Sequence, residues 1–156
     1  EDYTVVIVPR HPERFDEVGT LLKERGIPFC RYSEFRSGTS VILVDTMGQL
    51  LHFYETAALA IVGGSYKPIG GHNILEPLAY GTPVLFGPHM HTQFELVDLV
   101  LKADAGMQVP LDELKETVAK LLGDSGRLAV MGENGKKLIG SLQGVTDLTL
   151  KEIYHG

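Results

Sequence analysis

Residues 59–77 read LAIVGGSYKPIGGHNILEP, an apolar run that leads into a glycine-rich loop and then into a helix start. The loop contains four glycines, Gly63, Gly64, Gly70 and Gly71, whose backbone can take positive φ and approach a ligand closely. At such a helix start the N–H groups point outward and the helix dipole favours an anion. The order of strand, glycine loop and helix therefore predicts a phosphate-binding corner of a parallel α/β sheet.

The side chains at this corner suit a sugar nucleotide better than a bare phosphate. Asn73 is expected to cap the helix, and Glu76 can accept hydrogen bonds from sugar hydroxyls or simply complement the dipole. Lys67 can reach a phosphate or a sugar carboxylate, or remain solvated. His72 and Glu76 stand four residues apart, but no Cys/His/Asp set completes a metal-ligand pattern, so we expect neither a metal nor another cofactor.

Short β-branched runs alternate with segments of helical spacing on both sides of this loop. The pattern predicts a Rossmann-like, doubly wound parallel sheet of about six strands. The predicted strands are 3–8, 29–32, 41–44, 59–62, 83–86 and 106–109, and the predicted helices are 15–25, 50–58, 74–80, 94–103, 111–122, 127–142 and 147–154.

Ligands bind such sheets outside the carboxyl ends of the strands, where other loops also carry suggestive residues. Arg10, directly after the first strand, can grip a phosphate or stack on a base, or it can pair with Glu13 in a solvated turn. The loop after the fifth strand holds His89 and His91, which can touch a substrate but are more simply turn residues. Topology predicts that these loops lie on one edge with the glycine loop.

The loop after the third strand has the signature of a helix start. Asp45 or Thr46 can cap it, and Gly48 admits close approach. The N–H groups of Met47, Gly48 and Gln49 can then meet a base or a phosphate. A plain N-cap explains the same pattern.

Size and composition set the broad class. The 156 residues predict a single domain, 1–156, and the 44% hydrophobic content is enough for a full core. A net charge of −6 argues against nucleic acid as a partner. The single Cys30 excludes an internal disulfide, and no apolar run reaches the ~20 residues of a membrane span, so we expect a soluble domain. Because the chain opens at Glu1, we expect a domain separated from an N-terminal partner.

Four stretches together resemble a known family: VPRHPERF at 8–15, DTMGQL at 45–50, GGSYKPIGGHNILEP at 63–77 and GTPVLFGPH at 81–89. In this order they resemble the C-terminal, donor-binding half of the bacterial 3-deoxy-D-manno-octulosonic acid (Kdo) transferases, which are GT-B glycosyltransferases of lipopolysaccharide synthesis in Gram-negative bacteria. The likeness covers roughly residues 8–109. It implies an inverting transfer of Kdo from CMP-Kdo to a lipid A precursor.

The resemblance also implies residue roles. The nucleotide contacts that it implies are Pro9, Arg10, Met47, Gly48, Gln49, Asn73, Ile74, Leu75 and Glu76. Further contacts with the donor sugar or phosphate are expected at Ser65, Lys67, Gly70, Gly71 and His72. The family often has glutamate where this chain has Gln49, but contacts made by the backbone do not depend on that side chain.

The family's catalytic base is a glutamate of the N-terminal half, so no catalytic residue is expected in this segment. That half also recognises the lipid A precursor and attaches the parent enzyme to the cytoplasmic face of the inner membrane. The resemblance therefore implies that this chain binds the donor without turnover.

Three alternative functions stay open at this point. They are a GT-B domain for a UDP-sugar, a non-catalytic module that binds nucleotide or protein, and a GT-B-like epimerase, for which the chain offers no convincing acid/base pair. The glycine loop matches neither the G-x-x-x-x-G-K-[ST] nor the G-x-G-x-x-G pattern, which argues against an ATPase and a dehydrogenase.

Overall fold

The computed structural model of the chain describes residues 3–35, 38–68 and 73–154, with side chains as far as residue 143. Its contacts form two compact units, unit 1 (Glu1–Phe53) and unit 2 (Tyr54–Gly156), each with its own three-stranded parallel sheet. The single domain expected from chain length stays a prediction.

Unit 1 is built on a sheet whose strands run in the order β1-β3-β2. In chain order its elements are β1 (Val5–Ile7), α1 (Arg14–Glu24), β2 (Cys30–Arg31), β3 (Val41–Leu43) and α2 (Leu50–Tyr54), the last residue of which belongs to unit 2. The central strand β3 supplies the buried Ile42 and Leu43, and α1 contributes the buried Leu22. Gly26, with φ of +64°, follows the end of α1, where glycine readily takes the left-handed backbone.

Unit 2 has the strand order β4-β5-β6 with helices on both faces of the sheet. Its elements are β4 (Ala60–Val62), α3 (Leu75–Ala79), β5 (Val84–Phe86), α4 (Phe94–Lys102), β6 (Gly106–Gln108), α5 (Leu114–Leu122) and α6 (Ser125–Tyr154). The central strand β5 is completely buried. Val84 and Phe86 join a core cluster with α3 and α4, whereas Leu85 joins a second cluster with α5 and α6. This two-sided burial is the doubly wound arrangement that the alternating pattern predicted.

Helix α6 packs closely on α3 and on the turn that follows it. A Cβ atom at Gly132 would overlap the carbonyl oxygen of Gly81, and one at Gly135 would lie 3.0 Å from Cδ2 of Leu78. Farther along the helix, a Cβ atom at Gly140 would meet no described atom within 4 Å. Glycine at 132 therefore allows a backbone contact that any larger residue would obstruct.

The structure differs from the sequence expectations in three ways. The six parallel strands pair as two sheets of three rather than as one ladder of six. Helix α2 ends at Tyr54 rather than near residue 58, because the Thr82 hydroxyl binds the carbonyls of Tyr54 and Ala57 at 2.6 and 3.4 Å. The two helices predicted at the C-terminus are the single α6, because an internal glycine costs only about 1 kcal/mol in a helix. None of the described helices is long and apolar enough to cross a membrane.

Candidate functional site

The segment after β4 begins with a 3-10 helix, Gly63–Tyr66, instead of an open loop. Gly63 and Gly64 do not use the positive φ that glycine allows, since they lie in the turn of 3-10 helix. Lys67 follows and is exposed. Gly70, Gly71 and His72 lie outside the described residues.

Ser65 links the ends of two neighbouring strands. It is fully buried, its hydroxyl donates to the Val62 carbonyl at 2.5 Å, and it accepts from the Gly87 N–H at 2.6 Å. The Ser65 carbonyl also accepts from the His89 N–H at 2.9 Å. These bonds fix the segment after β4 against the segment after β5. A contact of Ser65 with the donor stays a prediction.

The start of α3 brings together the predicted Asn73–Glu76 group. The Asn73 side-chain oxygen accepts from the N–H of Leu75, the first residue of α3, at 2.9 Å, although the N-cap position itself is Ile74 rather than Asn73. Its amide nitrogen donates to Oε1 of Glu76 at 3.2 Å, and among the described residues this is the bond that orients the carboxylate. Ile74 is fully buried, so any ligand contact there would come from its backbone. Asn73 is exposed and Glu76 partly so.

Tyr54 is a residue near this group that the sequence gave no reason to select. Burial, and then the negative charge of Glu76, raise the pKa of Tyr54 to about 12. Like any tyrosine phenol it is protonated at neutral pH, and it can donate a hydrogen bond. Nothing in the sequence around Tyr54 indicates that it lies close to Glu76, because the fold of unit 2 brings the two residues together.

The segment after β5 combines a fixed backbone with an open pocket. The Gly87 carbonyl accepts from the Gln108 side-chain amide at 3.2 Å, whereas His89 is partly exposed and His91 is exposed. A shallow cavity of about 330 Å³ lies over residues 91–96, where Phe94 is 70% exposed. In the described part of the chain, the buried Oε1 of Gln93 has no hydrogen-bond partner.

In unit 1, two of the predicted loops leave the same sheet edge. Strands β1 and β3 pair in parallel, with Ile7 opposite Leu43, so the segments after them start side by side. The first carries Pro9 and the exposed Arg10. The second carries the nucleotide-contact candidates Met47, Gly48 and Gln49; Met47 is 59% exposed and Gly48 has a φ of +79°.

The helix cap that we expected before α2 is not formed. Asp45 instead accepts from the N–H and the hydroxyl of Ser33 at 3.0 and 2.6 Å, and the buried hydroxyl of Thr46 has no partner among the described residues. Partial burial opposes ionisation of Asp45, but the bonds from Ser33 outweigh it and hold its pKa below the usual range. Arg31 lies 3.5 Å from the same carboxylate. Asp45 therefore joins the strand ends instead of capping a helix.

No cluster of three or more possible metal-ligating side chains occurs in the described ranges. The described candidates thus form two groups, one in each unit: Pro9, Arg10, Met47, Gly48 and Gln49 after β1 and β3, and Ser65, Lys67 and Asn73–Glu76 around the start of α3.

Comparison with known proteins identifies the relatives of this chain. It is 39% identical over 138 residues to the 3-deoxy-D-manno-octulosonic acid transferase of Chlamydia muridarum. This alignment covers 86% of the chain and 32% of the relative. It is 37% identical to the transferase of the same name from Haemophilus influenzae, over 92% of the chain and 36% of the relative. The chain therefore spans about a third of the length of the curated relatives it matches. No protein-family model matches the sequence.

A solved structure matches both the fold and the sequence. The crystal structure of the C-terminal CMP-Kdo binding domain of WaaA from Acinetobacter baumannii superposes with a TM-score of 0.80 at 30% identity, covering 87% of this chain and 73% of that one. The parallel α/β architecture and this match define the chain as a C-terminal domain of the GT-B glycosyltransferase class. Within that class, the chain belongs to the Kdo transferase family.

Proposed function

We propose that this chain is the donor-binding domain of an enzyme that transfers Kdo from CMP-Kdo to a lipid A precursor. The observation that carries the proposal is the match to the CMP-Kdo binding domain of WaaA, over 73% of that domain's length. Acceptor binding, turnover and attachment to the inner membrane surface would belong to the remaining part of the enzyme.

Glu76 is the central nucleotide-binding residue of this proposal. Its carboxylate is oriented by Asn73 and stands in the first turn of α3, partly exposed. A carboxylate held in this way can accept the two hydroxyl protons of a ribose, and bonds to a charged acceptor are stronger than neutral ones. The backbone of Ile74 offers an N–H group beside it, whereas the Leu75 N–H is bonded to the Asn73 side chain. We assign Glu76 to the ribose of CMP.

The remaining predicted contacts keep the roles that their positions suggest. Arg10 carries the fixed positive charge and planar fork suited to a phosphate, so it would stabilise the CMP phosphate as leaving-group charge develops. Met47, Gly48 and Gln49 offer backbone groups to the nucleotide, and Pro9 offers an apolar surface. Ser65, Lys67, Gly70, Gly71 and His72 stay proposed contacts of the donor sugar or phosphate.

Titration calorimetry of the 156-residue chain with CMP, CDP and UDP tests this function. We expect CMP to bind most tightly. Tighter binding of UDP would favour a UDP-sugar donor instead, and equal binding of all three would favour a module without nucleotide preference.

Substitution of Glu76 tests the ribose assignment. We expect Glu76→Ala to weaken CMP binding about tenfold or more, because a charged hydrogen-bond acceptor contributes about 1.5–3 kcal/mol. Glu116→Ala is the matched control, since Glu116 also lies in the first turn of a helix and is exposed. An unchanged affinity of the Glu76→Ala chain would reject the ribose role.

A further inference from the structure

One face of α3 continues the polar group at its start. Glu76 and Tyr80 stand four residues apart on the same side of α3, and Asn73, which precedes the helix, is hydrogen-bonded to Glu76. Pro77 and Leu78 are buried on the other side. The exposed face therefore presents an amide, a carboxylate and a phenol in one row.

Tyr54 is fixed beside this face. Its ring lies 6.3 Å from the ring of Tyr80, centroid to centroid, at an interplanar angle of 35°. Its carbonyl accepts the hydroxyl of Thr82 at 2.6 Å, and Thr82 is only 2% exposed. The backbone at Tyr54 is thus tied to the segment that follows α3, while the ring rests against the last residue of the row.

The electrostatics agree with this geometry. Glu76 is the charge that acts on the Tyr54 phenol and, after burial, is the second cause of its raised pKa. The Tyr54 phenol therefore lies close enough to Glu76 to be influenced by the charge of its carboxylate. A ribose hydroxyl both donates and accepts hydrogen bonds. When it donates to a carboxylate, its oxygen lone pairs still need a donor, which a protonated phenol supplies.

We propose that Tyr54 is a further nucleotide-binding residue, whose hydroxyl donates to the ribose hydroxyl held by Glu76 and makes the site selective for ribonucleotides. The proposal rests on the function proposed above, since it needs a nucleotide at α3. The ribose hydroxyl that we assign to Tyr54 is the 2′-hydroxyl. A 2′-deoxyribonucleotide lacks this group, so only a bond to it can distinguish the two kinds of nucleotide. A site with a hydrogen-bonding partner for a hydroxyl rejects an analogue without it.

The test compares CMP with 2′-deoxyCMP on the unmodified chain and on Tyr54→Phe, which keeps the ring and its packing on Tyr80 but removes the hydroxyl. We expect the unmodified chain to prefer CMP, and Tyr54→Phe to weaken CMP binding about fivefold with less than about a twofold effect on 2′-deoxyCMP. Tyr32→Phe is the matched control, since Tyr32 also packs on an aromatic ring, that of Phe53 at 5.3 Å, in unit 1. Melting curves confirm that each variant is folded.

The outcomes separate this inference from the proposed function. If the unmodified chain binds CMP and Glu76→Ala weakens it, but Tyr54→Phe keeps both the affinity and the preference for CMP, the role of Tyr54 is rejected and the donor site stands. Equal losses for CMP and 2′-deoxyCMP would also reject it, because they indicate a packing effect. If the unmodified chain binds no CMP, both proposals fail.

Discussion

Alanine at position 132 tests how closely α6 approaches α3. The added Cβ atom would overlap the carbonyl oxygen of Gly81, which belongs to the backbone and cannot rotate away. Overpacking of this kind costs about 1–3 kcal/mol, and we take the upper end because no side chain can yield. Alanine recovers about 1 kcal/mol of helix propensity, so the net loss is about 2 kcal/mol.

Two other glycines of α6 provide a graded control. At Gly135 the Cβ atom would lie 3.0 Å from Cδ2 and 3.2 Å from Cβ of Leu78, contacts that a shift of a few tenths of an ångström relieves, so a cost of about 1 kcal/mol offsets the gain in helix propensity. At Gly140 the Cβ atom would meet no described atom, so alanine there should only raise the free energy of unfolding, by about 0.5–1 kcal/mol. The predicted order of stability is Gly140→Ala, then Gly135→Ala, then Gly132→Ala.

Urea unfolding and thermal melting measure this order. At about 2–4 °C per kcal/mol for a chain of this size, Gly132→Ala should melt about 4–8 °C below the unmodified protein, and Gly140→Ala about 1–4 °C above it. A Gly132→Ala chain as stable as Gly140→Ala would refute the backbone contact between α6 and the turn after α3.

Three further predictions concern buried or paired groups. Ser65→Ala should lower the free energy of unfolding in urea by about 1–3 kcal/mol, because it leaves the N–H of Gly87 without its acceptor. Asp104, whose pKa the hydrogen-bonded Arg127 holds below the usual range, should stabilise the fold above the unfolded carboxyl pKa of about 4 and lose this effect as pH falls through its lower folded value. Since both partners are more than a third exposed, Asp104→Asn should cost only about 0.5–1 kcal/mol in urea at pH 7, and less at pH 3. The unmodified chain should lose stability in urea faster than Tyr54→Phe as pH rises from about 10 toward the raised pKa of about 12, since the folded state holds the phenol proton more tightly.

Each of these predictions has a distinguishing result. Asparagine tolerates the left-handed backbone at Asp104, where φ is +55°, so Asp104→Asn changes the charge without adding strain. A stability difference that does not shrink at low pH would contradict the ion-pair explanation. For Ser65, Ser141→Ala is the control, because the Ser141 hydroxyl bonds within α6 on an exposed surface, and an equal effect of both substitutions would contradict the link between strand ends. Parallel alkaline curves for Tyr54→Phe and the unmodified chain would show that this phenol ionises normally.

The sequence predicted the elements well where burial and backbone chemistry act locally. Strand β5 was expected at 83–86 and lies at Val84–Phe86, because a short β-branched and aromatic run between turn residues has few alternatives. Gly26 and Gly81 directly follow the predicted helices 15–25 and 74–80, and both adopt positive φ. Asn73 binds the first N–H of α3 because its side chain needs only a neighbouring N–H.

The differences arise where distant residues decide. Thr82 ends α2 from 28 residues away, a contact that no local pattern contains. Asp45 bonds to Ser33 rather than to the next helix because parallel pairing of β2 and β3 brings the two strand ends together. The Ser65 hydroxyl joins two strand ends within the protein, a role that the sequence did not predict, and its contact with the donor stays a prediction. Tyr54 gained its candidate role only once its ring was placed against α3.

The shortness of α3 has a consequence for how this domain can evolve. A helix of five residues such as α3 has almost no stability of its own in water, so its position depends on packing against the long helix α6. Substitutions on the buried side of α6 would then change the ligand affinity of the proposed nucleotide site at α3 without contacting the ligand. Because coupling between linked equilibria is reciprocal, a ligand bound at that site would also stabilise the position of α6. Selection for ligand affinity would then act on residues of α6 as well as on those at the proposed site.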